Sequence, residues 1–412
     1  MSATGWATFA HRFSEYYRTT ELWSPPRISS REWMLTPFGG KKPLRHRAFR
    51  GTEQLRDHLV RRTPASVFYS TSYWKYPEQQ KMVDKDWMGA DLIFDLDGDH
   101  LPGISTEQFP LMLESIQHQA WKLWSEFLCQ DFGFKEEYLQ VTFSGHRGFH
   151  LHYRDPSMSQ LDSNARRELV SHIRGASADA SILLATDPVA RGWGPRVLTG
   201  CANVIGRLDL VRSGDDPTLR RSIIKEMTEG MNRRHRSPSG RQKYGEGTIE
   251  KLAGLFDSSK EGQHRREQVK RGRFDCLGGI RKHSTKRYRN AFEDLVRSDQ
   301  NVVLREAGET DDQVTIDVRR QIRYPSGLHG KTGFRVTEFP LSRLDPDGSD
   351  AFDALSEAVV FSTQRKMAIE ILVEEAHVRL NDVDLELMRG QHLEVSEAMA
   401  TFLVLKGWAV LP

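Results

Sequence analysis

The chain has 412 residues, of which 38% are hydrophobic and 28% charged, a composition typical of globular proteins with two or three domains or one large domain with an insertion. No stretch approaches the roughly 18 apolar residues of a membrane span, and the first residues lack the basic-then-apolar pattern of a secretory signal. Cys129, Cys201 and Cys276 are isolated thiols that form no disulfide framework. We therefore expect a cytoplasmic protein without a membrane segment.

The net charge of +3 hides an asymmetry along the chain. Residues 338–412 contain 14 acidic and 6 basic residues, a balance of −8, which leaves +11 for the rest. The basic residues cluster at Arg233–Arg236, at His264–Arg273 and at Arg281–Arg289. Such a surface suits a nucleic-acid backbone. The alternative is a solvated helical face or a docking surface for an acidic partner.

The predicted elements alternate between helices and strands. The first 60 residues favour helices around a Pro/Gly-rich patch, and a long helix of apolar periodicity covers about 106–130. Strand-forming residues occupy 66–70 and 90–96, and a strand pair with a tight glycine-containing connection covers 139–143 and 149–153. A further helix is expected over 164–174.

The second half of the chain changes character. We expect a basic helical insertion at 211–300, strands near 313–318 and 333–336, and an acidic helical segment at the C-terminus. The predicted organisation is an α/β core, with a mixed β-sheet flanked by helices. Its parts are 1–210 and 301–337, separated by the insertion and followed by the acidic segment 338–412.

The first candidate site is a pair of carboxylates at the end of an apolar strand. Residues two apart in a strand face the same side, so Asp95 and Asp97 project together. Two hard anionic ligands at that spacing suit a pair of Mg²⁺ ions roughly 3.5–4 Å apart. The alternative is a strand end with solvated carboxylates.

The second candidate site is the segment Phe143–His150, with the sequence FSGHRGFH. Ser144 offers a hydroxyl, Arg147 offers a planar fork for phosphate oxygens, and the glycines let the backbone approach a ligand closely. His150 and His152 alternate onto one face of the following strand. A triphosphate is the predicted ligand. A plain hairpin with a buried histidine, or a transition metal held by the two histidines, remains as an alternative.

A third candidate segment begins with Asp311 and Asp312, continues through Arg319, Arg320 and Arg323, and ends in the glycine-rich run 325–333. A third carboxylate would complete a two-metal site, and the cations would neutralise phosphate charge. The triplet Gly330–Thr332 does not make a phosphate-binding P-loop, because Pro325 stands where that loop needs its first glycine.

Together, in this order, the three segments resemble the catalytic small subunit of archaeal and eukaryotic DNA primases, over roughly residues 25–337. The resemblance implies metal binding by Asp95, Asp97 and Asp311, the last of which precedes His329 by eighteen residues, the family's spacing. It also implies nucleotide binding by a second set of residues, namely Ser144, Arg147, His150, Arg323 and His329.

Two departures from the family pattern stand out. His146 occupies the position of a second arginine in eukaryotic members. The interval between the carboxylate strand and the Ser-Gly motif offers only Cys129, His100 and His118, which cannot form a closed four-ligand zinc site. We therefore expect no structural zinc.

The resemblance implies template-directed synthesis of short RNA primers, or also DNA primers, from nucleoside triphosphates for DNA replication. It implies a two-metal site with Mg²⁺ or Mn²⁺, a large primase subunit as partner and a single-stranded DNA template. Alternatives are a repair-type primase-polymerase and a non-catalytic nucleic-acid-binding scaffold. A further alternative is a haloacid-dehalogenase-type phosphatase, which Phe94–Gly98 resembles although Asp99 replaces the threonine of that family.

Overall fold

The computed structural model describes residues 3–40, 42–98, 104–174, 193–214, 216–232, 235, 242–277, 285–299 and 312–412. The chain divides into two compact units. One unit comprises 1–124, 134–170 and 306–412, and the other comprises 125–133 and 171–305. We call them the sheet unit and the helical unit after their main content, and each is described by itself.

The described helices and strands follow one another along the chain. The helices are α1 (Ala3–Thr19), α2 (Thr52–Arg62), α3 (Phe109–Lys122), α4 (Ser163–Ile173), α5 (Trp193–Ser213), α6 (Pro217–Asn232), α7 (Glu246–Leu255), α8 (Lys260–Lys270), α9 (Thr285–Ser298), α10 (Asp312–Ile316), α11 (Ala354–Glu357) and α12 (Glu397–Lys406). The strands are β1 (Trp33–Thr36), β2 (Leu44–Arg47), β3 (Ser66–Ser70), β4 (Ser72–Trp74), β5 (Trp87–Ala90), β6 (Leu92–Asp97), β7 (Leu139–Phe143), β8 (Gly148–Tyr153), β9 (Gln321–Arg323), β10 (Thr337–Phe339), β11 (Lys366–Ile371), β12 (Glu375–Leu380), β13 (Val383–Met388), β14 (His392–Ser396) and β15 (Ala409–Val410).

Two four-stranded sheets of the sheet unit carry the candidate site, with strand orders β2-β1-β3-β9 and β10-β7-β8-β6. In the second sheet Asp95 lies opposite His150, and Asp97 lies opposite Gly148. The α/β class is confirmed. Where the sequence suggested a mixed sheet, each strand pair in the described part is antiparallel, which is the arrangement that tight connections such as the one between β7 and β8 allow.

Hydrophobic packing holds β6 in place. Phe94 and Leu96 on this strand are almost fully buried, and α3 packs against β6 and β8 through its apolar side. Met112 and Ile116 of that helix are also buried. The α-helical part of α3 ends at Lys122, and a π-helical stretch follows over Leu123–Leu128. The long helix predicted over about 106–130 is therefore present, but its last six residues are π-helical. The strand that ends in Asp97 is therefore rigidly supported.

A buried ionic network lies just before β6. The Asp91 carboxylate accepts hydrogen bonds from Arg31 Nη2 at 2.8 Å, Arg154 Nε at 3.1 Å and the Tyr73 hydroxyl at 2.5 Å. Arg166 Nη1 donates to the Asp91 carbonyl at 2.8 Å. Because buried charges are costly unless paired, this network constrains how the segments that contribute to it can pack.

The helical unit begins earlier than the boundary at 211 that we expected, because that position lies inside α5. Val197, Cys201 and Leu208 of this helix are buried, and α5 packs on α7. Asp131 accepts a hydrogen bond from Arg196 Nη1 at 2.7 Å, which ties 125–133 to the same unit.

The expectation of an acidic helical C-terminal segment is wrong. Residues 366–396 form the strands β11 to β14, and only α12 among the longer elements is helical. The period is that of a strand, since Ala376, Val378 and Leu380 are buried while the residues between them are less so. Most acidic residues of β11 to β14 are exposed. The net charge of the segment does not show the alternation of buried and exposed residues that identifies a strand.

Other expectations also needed correction. The segment around 313–318 was predicted as a strand but forms the short helix α10, with Val314 and Thr315 buried. The first 60 residues contain β1 and β2 in addition to the expected helices, and the strand expected at 333–336 lies slightly later, at Thr337–Phe339. In the described ranges, no helix has the length and apolar character needed to cross a bilayer.

Candidate functional site

The carboxylates of Asp95 and Asp97 lie on the same side of β6, beside two groups from the neighbouring turn and strand. The His150 Nε2 atom lies 3.4 Å from Asp95 Oδ1, and the Arg147 Nε atom lies 3.6 Å from Asp97 Oδ1. Asp97 is 48% exposed and Asp95 is 22% exposed, whereas His150 is nearly buried. The structure therefore brings four of the predicted site residues together at one strand end.

The turn between β7 and β8 depends on one serine and two glycines. Ser144 Oγ accepts hydrogen bonds from the backbone N–H of His146 at 3.4 Å and of Gly148 at 3.2 Å. Gly145 has a φ of +83°, in the left-handed region that favours glycine. A Cβ on Gly148 would lie 2.2 Å from the Leu96 carbonyl oxygen. Ser144 thus shapes the turn, and the glycines let it lie against β6.

Arg323 comes to the site from β9, in the other four-stranded sheet. Its guanidinium lies 4.8 Å from the centre of the Phe68 ring, on the adjacent strand β3. Burial lowers the pKa of Arg323 to about 10, against the opposing effect of Asp95 and Asp97. The side chain therefore remains positively charged at neutral pH and attracts the carboxylates of Asp95 and Asp97.

The distal glycine-rich segment clamps the Ser144–Gly148 turn. Thr332 Oγ1 donates to the Gly145 carbonyl at 2.5 Å, and the His329 N–H donates to the Phe334 carbonyl at 2.9 Å. The His329 Nδ1 atom accepts a hydrogen bond from the Lys331 N–H at 3.1 Å. Burial and the charge of Arg323 hold the pKa of His329 well below its usual range. The ring is therefore neutral, and its proton resides on Nε2.

The two histidines of β8 have different surroundings. Burial lowers the pKa of His150 to about 3, and its buried Nδ1 atom has no hydrogen-bond partner among the described residues. His152 is enclosed, with Nε2 3.3 Å from Thr142 Oγ1 and Nδ1 3.5 Å from Arg154 Nη2. His150 therefore has an atom left for a ligand, whereas both nitrogens of His152 face protein groups, which disfavours a transition metal held by the pair.

The fit of the site to divalent cations rests on oxygen ligands. Asp95 and Asp97 supply two hard carboxylates, the ligand type that Mg²⁺ and Mn²⁺ prefer. Within the ranges that the structure describes, no three His, Cys, Asp or Glu side chains come together as a metal-binding group. The third carboxylate predicted from the sequence, Asp311, lies outside the described residues, as does 99–103.

Three residues that the sequence analysis did not assign to the site belong to its surroundings. Thr332 holds the turn, the His146 ring lies 4.8 Å from the His329 ring, and Lys406 Nζ lies 3.2 Å from His146 Nε2. Thr332 lies in the glycine-rich run 325–333 and His146 lies in the segment Phe143–His150, so both belong to motifs that the sequence already indicates. Lys406 is 260 positions away from His146, and no local pattern indicates it.

The chain is similar in sequence to one family of known proteins. The model of the DNA primase small subunit family matches residues 94–341. The chain is 34% identical to the DNA primase small subunit of Methanosarcina barkeri, over 97% of this chain and 94% of that protein. It is 33% identical to that of Methanothrix thermoacetophila, over 97% and 96%, and 32% identical to that of Halorubrum lacusprofundi, also over 97% and 96%. The matched segment includes the carboxylates of β6, the Ser-Gly turn and His329, and the chain accordingly belongs to the family of DNA primase small subunits.

Proposed function

We propose that this chain is a nucleotidyltransferase that synthesises short RNA primers on a single-stranded DNA template. The observation that carries the proposal is the convergence of Asp95 and Asp97 with two arginines, Arg147 and Arg323, at one end of β6. Carboxylates suit metal ions, and guanidinium groups suit phosphate oxygens. Family membership supports the same reaction.

In the proposed reaction, the 3′-hydroxyl oxygen of one nucleotide forms a bond to the α-phosphorus of the incoming triphosphate. The hydroxyl proton passes to solvent water, and the bond between the α-phosphorus and the leaving pyrophosphate breaks. Divalent cations, held by Asp95, Asp97 and Asp311, would supply charge neutralisation and lower the pKa of the attacking hydroxyl. Mg²⁺ and Mn²⁺ both suit these ligands.

The remaining site residues position the triphosphate. Arg147 and Arg323 present fixed positive charges, whose contribution grows as negative charge develops on the leaving group. His329 is neutral and can donate from Nε2, while the Ser144 hydroxyl can donate from the turn it shapes. His150 offers Nδ1, which has no hydrogen-bond partner among the residues that the structure describes. In this proposal the reacting groups, the hydroxyl and the triphosphate, belong to the nucleotides, and the protein mainly orients them and neutralises their charge.

The proposed setting is a cytoplasmic heterodimer with a large primase subunit during DNA replication. A template-dependent assay of labelled nucleoside triphosphate incorporation, with and without that subunit, tests it. Product that depends on template and on a divalent metal ion supports primer synthesis. Release of phosphate from a phosphomonoester without template would instead support the phosphatase alternative, and template binding without incorporation would support the scaffold.

We expect Arg147→Ala to raise the KM for nucleoside triphosphate, to lower kcat, or both. A charge-assisted contact to phosphate is worth about 1.5–3 kcal/mol, so kcat/KM should fall by roughly tenfold to a hundredfold. Steady-state kinetics measure the effect. Arg61→Ala is the matched control, because that side chain is 77% exposed and pairs with Asp57 on the surface. A loss of template affinity with unaltered nucleotide kinetics would contradict the assignment.

The helical unit offers a surface for the template. The basic cluster at 264–273 is described in full, and its residues divide into two groups. Arg266 pairs inward with Asp209 at 2.7 Å and Arg265 pairs with Glu261, so these two are structural. Exposed basic residues remain on this cluster and on the first turn of α9, namely His264, Lys270, Arg271, Arg273, Lys286 and Arg287. We call these six residues the basic surface. The cluster at 233–236, apart from His235, and residues 281–284 lie outside the described residues.

We propose that the basic surface contacts the phosphates of the template or primer. The double variant Lys270→Glu/Arg271→Glu should then weaken binding of single-stranded DNA and reduce the salt dependence of that binding. The logarithmic salt slope should fall by about 1.4, since each lost contact contributes roughly 0.7 on a single strand. Fluorescence anisotropy over a range of salt concentrations measures both quantities.

The control for this variant is Arg221→Glu/Lys225→Glu, which reverses two exposed charges on α6 of the same unit. It should change the slope much less. Equal effects of the two variants would show only a general charge effect. Unchanged DNA binding in Lys270→Glu/Arg271→Glu would remove these residues from the template path, and lost association with the large subunit would indicate a protein interface.

A further inference from the structure

The C-terminal helix α12 reaches the nucleotide site through its last residue. Lys406 Nζ lies 3.2 Å from His146 Nε2, inside the Ser144–Gly148 turn. The same ammonium lies 4.4 Å from the centre of the Phe109 ring and 5.0 Å from that of Trp408. Aromatic faces attract a cation, so the side chain is held in one place.

The helix itself is firmly anchored. Ser396 caps its first turn by accepting a hydrogen bond from the Met399 N–H at 3.2 Å, and Gly407 ends it with a φ of +83°. Phe402 and Leu403 are fully buried. Lys406 therefore projects from a rigid element rather than from a mobile terminus.

The contact determines which nitrogen of His146 carries a proton. An ammonium has three donors and no acceptor, so Nε2 must accept and the proton of the neutral ring must reside on Nδ1. Burial and the charge of Lys406 hold the pKa of His146 well below its usual range, which keeps the ring neutral. With Nε2 engaged, the ring can neither flip nor exchange its tautomer without losing the contact.

His146 in turn lies against His329. The two ring centres are 4.8 Å apart with 32° between their planes, and a Cβ on Gly145 would lie 2.9 Å from His329 Cβ. The turn and the distal segment therefore fit together with little spare room. A shift of the His146 ring would move the surface on which the His329 ring rests.

We propose that Lys406 is a positioning residue for nucleotide binding, which acts by fixing the His146 ring against His329. This inference rests on the proposed function, because it assumes that His329 meets the triphosphate. Lys406 itself need not touch the nucleotide. The C-terminal segment thereby gains a role in the site that its acidic composition does not indicate.

The test uses Lys406→Met, which keeps an unbranched stem on Phe109 and removes the ammonium. We expect the KM for nucleoside triphosphate to rise about fivefold to tenfold, with a smaller change in kcat and unchanged affinity for single-stranded DNA. Lys406→Arg, which keeps a charged donor, should restore KM to within about twofold. Lys366→Met removes an exposed lysine from the same C-terminal segment and should leave both parameters unchanged.

A second measurement is independent of catalysis. Nuclear magnetic resonance of ¹⁵N-histidine-labelled protein, without nucleotide, should show His146 protonated on Nδ1 at neutral pH and a changed tautomer signal in Lys406→Met. If the signal changes but KM does not, the contact exists and the positioning role is refuted. If the signal does not change, the contact itself is refuted. Absence of any template-dependent incorporation by the unaltered protein would overturn the proposed function instead.

Discussion

Asp95→Asn and Asp97→Asn are each expected to reduce nucleotide incorporation by roughly a thousandfold or more. Each substitution keeps the size of the side chain and removes one of the two hard anionic ligands that the site offers on β6. A metal-dependent phosphoryl transfer that loses a metal ligand loses most of its charge stabilisation, so kcat should fall far more than template affinity. Template-dependent incorporation of labelled nucleotide measures the loss.

The controls separate catalysis from folding. Asp347→Asn makes the same chemical change on an exposed aspartate of the sheet unit and should retain full activity. Removal of a negative charge beside Arg323 cannot weaken attraction for a phosphate backbone, so single-stranded DNA should bind at least as well to both site variants. Incorporation at the normal rate by either variant would show that the catalytic site lies elsewhere.

The sequence predicts the centre of the site because the chemistry there depends on local spacing. The two-residue period of β6 places Asp95 and Asp97 on one side, and the structure has them so. The tight connection between β7 and β8 needs Gly145 for its positive φ and Gly148 for its contact with Leu96. For Asp95, Asp97 and Gly145 the residue type follows from the local backbone, and for Gly148 it follows from the close approach of the neighbouring strand β6.

The sequence is less informative where tertiary packing decides the outcome. The segment 313–318 contains β-branched residues that favour a strand, yet Val314 and Thr315 are buried in a short helix. The C-terminal segment was wrongly predicted to be helical, because its net charge says nothing about the spacing of apolar residues along the chain. No local sequence pattern predicts the contact of Lys406 with His146, because it forms only once the sheet unit, which includes α12, has folded.

Asp91 is expected to be the carboxylate on which folding depends most. It lies just before β6, is 2% exposed, and receives hydrogen bonds from two arginines, Arg31 and Arg154, and from Tyr73. The Asp91→Ala variant would leave the buried guanidinium group of Arg31 and the partly buried one of Arg154 without their shared counter-charge. Removal of one partner from a buried ion pair typically costs about 3–5 kcal/mol, so the free energy of unfolding should fall by that amount.

Chemical denaturation followed by circular dichroism measures this loss, and Asp57→Ala is its matched control. Asp57 pairs with Arg61 at 3.6 Å, but both side chains are at least 70% exposed, so its removal should cost no more than about 1 kcal/mol. Similar losses in the two variants would show that the Asp91 network contributes no more than a surface pair. A fall of 3–5 kcal/mol at Asp91 alone would identify the network as a support of β6.

The pH dependence gives a second test of the same network. Burial tends to raise the pKa of Asp91, but Arg31 and Arg154 outweigh it, and the pKa in the folded protein lies below its usual range. A carboxyl whose pKa is depressed by folding stabilises the fold above its unfolded pKa of about 3.9, and this contribution disappears as the pH falls through the folded pKa. The difference in unfolding free energy between the unaltered protein and Asp91→Ala should therefore be largest near neutral pH and shrink in acid. A difference that stays constant down to acidic pH would mean that Asp91 acts through packing rather than through its charge.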